Sequence, residues 1–137
     1  MDNTKLFRLM GSISRQATTD INQIVTPYGL DNNLFLYLMR IVENEGISQV
    51  DLVNKVRVDK TTLSRALKKL ENNGFIIKAT NPANKKFNQL YPTDQAKDIY
   101  RTLYSLEQDY IARALEKLNS AEKITLGKLL TKIDSAL

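Results

Sequence analysis

Cysteine and histidine are both absent from this 137-residue chain. Without cysteine there is no disulfide, thiol nucleophile or thiol redox switch, and without histidine the usual general base at neutral pH is missing. The common zinc sites, which are built from these two residues, are excluded as well. Neither a phosphate-cradling glycine loop nor a carboxylate loop with metal-binding spacing occurs in the sequence. We therefore expect a protein that is not an enzyme and that holds no cofactor and no metal ion.

Long hydrophobic runs are also missing. The longest apolar run extends only from Leu34 to Met39, far short of the roughly 20 residues that cross a bilayer. Arg8 interrupts the one apolar stretch near the N-terminus that resembles a secretory signal. The composition, 42% apolar and 26% charged, is that of an ordinary soluble domain. The sequence therefore predicts a single cytoplasmic domain that buries roughly two-thirds of its unfolded surface.

The positive charge is concentrated in the middle of the chain. Residues 55–86 contain nine lysines and arginines against Asp59 and Glu71, a net charge of +7, whereas the remaining residues sum to −2. A basic centre between nearly neutral ends indicates a polyanionic partner that meets the middle of the chain. The alternative is an ordinary solvated surface, which charge alone does not exclude.

Apolar spacing predicts helices at both ends of the chain. Apolar residues recur at steps of three or four over residues 4–25 and again over 32–44, which predicts two helices. A long helix of about 25 residues is expected from Thr93, its N-cap, to Asn119. Ser120 is then the expected cap of a last helix.

Two further helices are predicted in the basic centre. Ser48 and Asp51 have the spacing of a capping box, so a short helix should begin there. Asp59 is the expected N-cap of a second helix over residues 60–72. Gly74 is the natural stop of that helix, because glycine readily adopts the left-handed conformation that follows a helix end.

A β-hairpin is predicted after these helices. Residues 75–79 and 89–91 are rich in β-forming side chains, and the turn-forming stretch 81–88 between them carries a basic tip. The order of short helix, turn, helix and hairpin is the layout of a winged helix-turn-helix. The expected fold class is therefore mainly α with a small β-hairpin wing.

The predicted helix over residues 60–72 has one apolar face and one cationic face. Arg65 carries the planar fork that reads guanine O6 and N7, and Thr61 and Ser64 are short enough to approach bases or phosphates closely. Thr62 and Lys69 lie at the edges of the cationic face, where backbone phosphates are the natural partners. The expected DNA contacts are Lys60, Thr61, Thr62, Ser64, Arg65, Lys68 and Lys69 on this helix, with Ser48 and Gln49 on the DNA backbone.

The sequence resembles the MarR family of bacterial transcriptional regulators over almost its whole length. The residues that carry the resemblance are Pro27-Tyr28-Gly29-Leu30 with Phe35, Leu38 and Ile41, then Val58 to Arg65, Leu70 to Ile76, and Leu90 to Ala96, where glycine is usual at the last position. The resemblance implies one domain over 1–137, with a winged-helix DNA-binding lobe at 32–92 and dimerisation helices at 1–30 and 93–137.

The family resemblance also implies a function. A homodimer would bind double-stranded DNA with its two recognition helices in successive major grooves about 34–36 Å apart, on a pseudo-palindromic operator, and act as a repressor. A cleft between the dimerisation helices and the DNA-binding lobe would accept a small aromatic effector, with Tyr28, Tyr37, Tyr104 and Tyr110 as candidate lining residues. Independently, the apolar stripes of the first and last helices are longer than a winged-helix core requires, which favours a second copy over a monomeric bundle.

The wing tip departs from the family pattern. Members generally have Asp-Arg-Arg there, whereas the aligned residues here are Asn84-Lys85-Lys86, and Asn88 completes the expected wing contacts. Lysine is a mobile point charge, while a narrow minor groove favours arginine. We expect the wing to add salt-dependent affinity and little sequence discrimination.

Two other classes of function compete with DNA binding. A winged-helix module can bind an acidic protein through the same basic face, and a small hydrolase is conceivable for a chain of this size. The outward Thr61, Ser64 and Arg65 favour DNA over the acidic protein. The hydrolase is disfavoured because no serine has a histidine partner and no phosphate-binding loop is present.

Overall fold

The computed structural model describes residues 1–137 except for the side chain of Lys85. Within that description, six α-helices are α1 (Asn3–Val25), α2 (Leu34–Glu43), α3 (Gln49–Val56), α4 (Lys60–Asn72), α5 (Asp94–Ala114) and α6 (Ser120–Ser135). Three short strands are β1 (Ile47–Ser48), β2 (Ile76–Ala79) and β3 (Gln89–Pro92). The expected class, mainly α with a small β wing, is confirmed.

The bounds of α4 follow from its two caps. The Asp59 carboxylate accepts a hydrogen bond from the Thr62 amide at 2.8 Å, which makes it the N-cap. At the other end the Phe75 amide donates to the Leu70 carbonyl at 2.9 Å and the Gly74 amide to the Glu71 carbonyl at 3.1 Å. This is a Schellman motif, and the φ of +79° at Gly74 explains why glycine is needed. The predicted bounds of this helix are confirmed.

The joint between α1 and α2 is tighter than the sequence predicts. Asn32 and Asn33 adopt left-handed backbone conformations, so α2 begins at Leu34 rather than at residue 32. The Asn33 amide donates to Asn22 Oδ1 at 3.0 Å, and Asn22 Nδ2 donates back to Asn33 Oδ1 at 3.2 Å. A side chain of α1 therefore holds the turn that starts α2, and asparagine tolerates the unusual φ better than most residues do.

The sheet has one strand more than the predicted hairpin. Its order is β1-β3-β2, all antiparallel, with Ile47 opposite Leu90 and Ile77 opposite Tyr91. β1 contains only two residues, and Ser48 within it is also the N-cap of α3, accepting from the Asp51 amide at 3.1 Å. The capping residues therefore predict the start of α3 correctly. They do not indicate β1, because this strand forms only by pairing with β3, some forty residues later in the chain.

The predictions for the last two helices are wrong in two details. The long helix ends at Ala114 and not at Asn119, because a turn occupies residues 115–117. The N-cap of α6 is Asn119 and not Ser120. Asn119 Oδ1 accepts from the Glu122 amide at 2.8 Å and Glu122 Oε1 accepts from the Asn119 amide at 3.0 Å, which completes a capping box that Ser120 lacks.

The hydrophobic core lies between α2, α3, α4 and the sheet, and the first half of α5 joins it. Its members include Leu38 and Ile41 of α2, Leu52 of α3 and Leu103 of α5, all fully buried. The chain divides into two compact units, Met1–Tyr104 and Ser105–Leu137, with the boundary inside α5. Among the described residues, no helix combines the length and apolar character that crossing a bilayer requires.

Candidate nucleic-acid interface

The packing of α4 decides which of its side chains face outward. Leu63, Leu67 and Leu70 are fully buried and Ala66 nearly so, and these residues fix one side of the helix against α2 and the sheet. Every residue that the sequence predicts as a contact of this helix is exposed as a consequence: Lys60, Thr61, Thr62, Ser64, Arg65, Lys68 and Lys69.

The N-cap of α4 uses the hydroxyl of one of these predicted contacts. Thr62 Oγ1 donates to Asp59 Oδ2 at 2.6 Å, while the Thr62 amide donates to Asp59 Oδ1. Because the hydroxyl proton is already donated, Thr62 has none left for a phosphate oxygen, which only accepts. We therefore assign Thr62 to the cap rather than to DNA. The hydroxyl and amide of Thr62 hold the pKa of the Asp59 carboxyl below its ordinary value of 3.8.

This cap predicts a pH-dependent effect of Asp59→Asn. A lowered pKa in the folded state means that ionised Asp59 stabilises the fold above pH 3.8 and that the contribution disappears as pH falls through the lowered pKa. Asparagine has one acceptor oxygen where the carboxylate uses two. Thermal unfolding should therefore show the wild type as the more stable protein at neutral pH and the two midpoints converging in acid. A difference between the two midpoints that stays constant from neutral to acidic pH would contradict the role of ionised Asp59 in the cap.

A cleft of about 490 Å³ lies between α3, α4 and the wing. It brings together residues from three separate segments that the sequence predicts as DNA contacts: Gln49 from the start of α3, Lys60, Thr61, Ser64 and Arg65 from α4, and Lys86 from the wing tip. Val50, Val53 and Asn54 complete its lining. The cleft is thus lined by three cationic side chains, Lys60, Arg65 and Lys86, and by residues of the outward face of α4.

The wing is tied to α3 through Asn88. Its backbone carbonyl accepts from the Gln49 amide at 2.9 Å, and its side-chain Oδ1 accepts from the Asn81 amide at 2.8 Å. Asn88 is only 6% exposed. We therefore assign its side chain to closing the wing loop, although the sequence suggested a DNA contact, because a buried amide with a partner has little surface to offer.

The tip of the wing is shaped by a second asparagine. Asn84 Oδ1 accepts from the Lys86 amide at 3.1 Å, and the Phe87 amide donates to the Asn84 carbonyl at 3.1 Å. The Lys86 ammonium lies 5.2 Å from the centre of the Phe87 ring. The side chain of Lys85, also predicted as a wing contact, lies outside the described part of the structure. Phe87 was not singled out from the sequence, although an aromatic residue directly after two lysines was a usable signal.

The tyrosines predicted to line an effector cleft occupy different surroundings. Tyr37 is 1% exposed, and its hydroxyl has no partner among the described residues. Burial, together with the negative charge of Asp59, raises the pKa of this phenol. Tyr37 lines a pocket of about 220 Å³ beside α4 that contains neither Tyr28 nor Tyr104. Tyr104 stacks on Tyr100 with ring centres 5.9 Å apart, and Tyr110 belongs to the second compact unit.

Comparison with known proteins places this geometry in a family. A model described as the MarR family matches residues 30–86. The uncharacterized HTH-type transcriptional regulator YybA of Bacillus subtilis is 38% identical over 128 residues, which span 93% of this chain and 85% of that protein. The chain belongs to the MarR family of transcriptional regulators. The resemblance to this family is therefore confirmed, and the relatives with which this MarR-family protein is compared are transcriptional regulators.

Solved structures extend the match to the terminal helices of the MarR-family fold. A crystal structure of the transcriptional regulator SlyA is 31% identical, covers 96% of this chain and 92% of its own, and has a TM-score of 0.88. A MarR family transcriptional regulator from Listeria monocytogenes, solved in complex with a 26mer DNA, is 37% identical and covers 95% of this chain and 87% of its own, again with a TM-score of 0.88. The winged-helix fold is thus shown well beyond the segment that the family model matches.

Proposed function

We propose that this MarR-family regulator is a homodimer that binds double-stranded DNA sequence-specifically and represses transcription at a pseudo-palindromic operator. The observation that carries the proposal is the basic cleft, in which Gln49, the outward face of α4 and Lys86 converge although they come from three separate parts of the chain. The similar regulator from Listeria monocytogenes, solved with a 26mer DNA, supports the same kind of partner.

The side chains of α4 divide into base readers and phosphate binders. Arg65 can place its two-pronged fork on the O6 and N7 atoms of a guanine, and Thr61 and Ser64 present small hydroxyls on the same exposed face. Lys68 and Lys69 lie farther along the helix, outside the cleft lining, where phosphates of the flanking backbone are the natural partners. In this arrangement the lysines supply affinity and Arg65 supplies discrimination between base pairs.

Exposed apolar faces in each compact unit support the homodimer. In the first unit the N-terminal half of α1 exposes Leu6, Phe7, Leu9 and Ile13, and in the second unit α6 exposes Ile124, Leu126, Leu129 and Leu130. Apolar surface of this extent usually marks an interaction site. A second copy that covers it would also position a second α4 about 34–36 Å from the first, one helical turn along the DNA.

Release by a small aromatic effector completes the proposal. An effector changes the equilibrium between two spacings of the α4 helices only if it binds one of them more tightly. The shift in free energy is at most the difference between its two binding free energies. A ligand that stabilised a spacing unmatched to successive major grooves would therefore lower operator affinity without touching DNA. Tyr28 and Tyr104 are exposed and are the candidates for contacts with its ring. Tyr37, which is almost fully buried, and Tyr110, which belongs to the second compact unit, are not retained.

Selection of bound duplexes from a random pool tests this function. We expect one preferred sequence with two-fold symmetry, bound by two protein chains and favoured over random DNA by at least about a thousandfold. Uniform, salt-sensitive binding to every duplex, with one chain per site, would contradict the proposal. Such a result would instead fit a basic surface for an acidic partner, since an electrostatic contribution alone gives no preference between sequences.

Lys86→Ala should reduce the salt dependence of this binding. Each lysine that neutralises a phosphate contributes about one unit to the slope of log affinity against log salt. We expect the slope to fall by about one unit while the preferred sequence stays unchanged, because a lysine recognises charge and not a base. The measurement is the dissociation constant over a series of salt concentrations.

Lys97→Ala is the matched control, because Lys97 already pairs with Glu45 at 2.9 Å. Its slope should equal that of the wild type. If Lys86→Ala altered the preferred sequence and left the slope intact, the wing would be reading bases and the assignment of Lys86 would be wrong.

A further inference from the structure

The wing tip exposes an aromatic ring that the proposed function does not use. Phe87 is 47% exposed, directly beside the cation that lines the α3–α4 cleft. We infer that the Phe87 ring packs in the minor groove next to the major groove that α4 reads, and that it supplies a salt-independent part of the affinity of the wing. This inference rests on the proposed function and adds a contact of a different chemical kind.

Hydrogen bonds hold the backbone on both sides of Phe87. Asn88, the next residue, is buried and bonded through its carbonyl to the first amide of α3. On the other side, the amides of Lys86 and Phe87 both donate to Asn84, one to its side chain and one to its carbonyl. The backbone of Phe87 therefore lies between two anchors, one of which belongs to the helix that precedes α4. A DNA duplex seated on α4 would meet the ring at a defined position.

The surroundings of the ring suit a groove better than a protein partner. The Lys86 ammonium lies 5.2 Å from the ring centre, within the range of a cation–π interaction, so a positive charge accompanies the apolar surface. The minor groove offers the matching pair of features, a negative potential and the apolar edges of the sugar rings. Architectural proteins show that apolar side chains enter this groove, where they insert between base steps.

The salt dependence of DNA binding distinguishes the contribution of Phe87 from that of Lys86. A phenyl ring neutralises no phosphate and releases no counterion, so its loss should weaken binding equally at every salt concentration. If the ring served only to position Lys86, its loss should instead reduce the slope, as Lys86→Ala does. The two roles of Phe87 are therefore distinguishable by a single series of measurements.

The experiment compares Phe87→Ala with the wild-type protein on the selected duplex over a range of salt concentrations. We expect Phe87→Ala to raise the dissociation constant about three- to tenfold with an unchanged slope, as for the loss of one aromatic contact. Phe87→Leu should recover most of the affinity, since an apolar side chain is retained. Both variants should unfold at the wild-type temperature, because the ring is exposed.

A modified duplex tests the location. Replacing adenine by 2,6-diaminopurine where the wing would lie adds an amino group to the minor groove and leaves the major-groove face of the pair unchanged. We expect this duplex to weaken wild-type binding several-fold and to affect Phe87→Ala much less. Equal weakening of both proteins would overturn the minor-groove location.

Failure of the inference differs from failure of the proposed function. A wild-type protein without a preferred duplex would refute the function itself. A wild-type protein with a preferred duplex, together with Phe87→Ala that binds it equally well or with a reduced slope, would refute only the role of Phe87.

Discussion

Arg65→Ala is expected to cost about 1–3 kcal/mol on the selected duplex, roughly a five- to 150-fold rise in the dissociation constant. Arg65 is exposed on α4 and lines the cleft together with Ser64 and Lys86. Its fork can donate two parallel hydrogen bonds to one guanine, so its removal should weaken the selected duplex and flatten the preference at one position in each half of the site. Dissociation constants for the selected duplex and for its single-base-pair variants provide the measurement.

Arg65→Lys is the matched control for charge. It keeps the positive charge and loses the planar fork, so the salt slope should be close to that of the wild type while the base preference at that position is lost. Lys68→Ala should behave oppositely, with a lower slope and an unchanged preference. Equal affinity of Arg65→Ala and the wild type on every duplex would show that Arg65 does not recognise a base.

Leu67→Ala should destabilise the fold by about 2–5 kcal/mol. Leu67 is fully buried on the inward face of α4, and its truncation would leave a cavity in the core that supports the recognition helix. Urea unfolding at a fixed protein concentration measures the loss, since the stability of a dimer depends on concentration.

Lys68→Ala, at the adjacent exposed position, is the control for Leu67→Ala and should stay within about 0.5 kcal/mol of the wild type. A loss below about 1 kcal/mol for Leu67→Ala would show that α4 is not fixed by the packing described here. The DNA-binding face would then lack the rigid support on which its geometry depends.

Where structure depends on neighbouring residues, the sequence predicts it closely. Asp59 and Gly74 define α4 because an N-cap carboxylate and a left-handed glycine act within one turn of the helix. The exposed and buried faces of α4 follow from spacing alone. Asn119 and Ser120 are adjacent and both residue types can cap a helix, so the sequence predicts the wrong one of the two. The capping box with Glu122 makes Asn119 the N-cap.

Where structure depends on distant residues, the sequence does not predict it. The strand β1 exists because residues 47 and 48 pair with residues 90 and 89. The burial of Asn88 follows from its bonds to Asn81 and Gln49, and neither bond has a local sequence signature. The sequence predicts each of the three groups of DNA-contacting residues that line the cleft. Only the folded structure shows that they lie together.

The spacing between the two half-sites decides whether two copies of α4 can read one site from the same face of the DNA. The measurement is the dissociation constant for the selected duplex and for a version with about five base pairs, half a helical turn, inserted between its halves. We expect the insertion to lower affinity almost to that of random DNA, because the second half-site then faces away from its helix. Equal affinity for both duplexes would show that the two α4 helices do not read one site together.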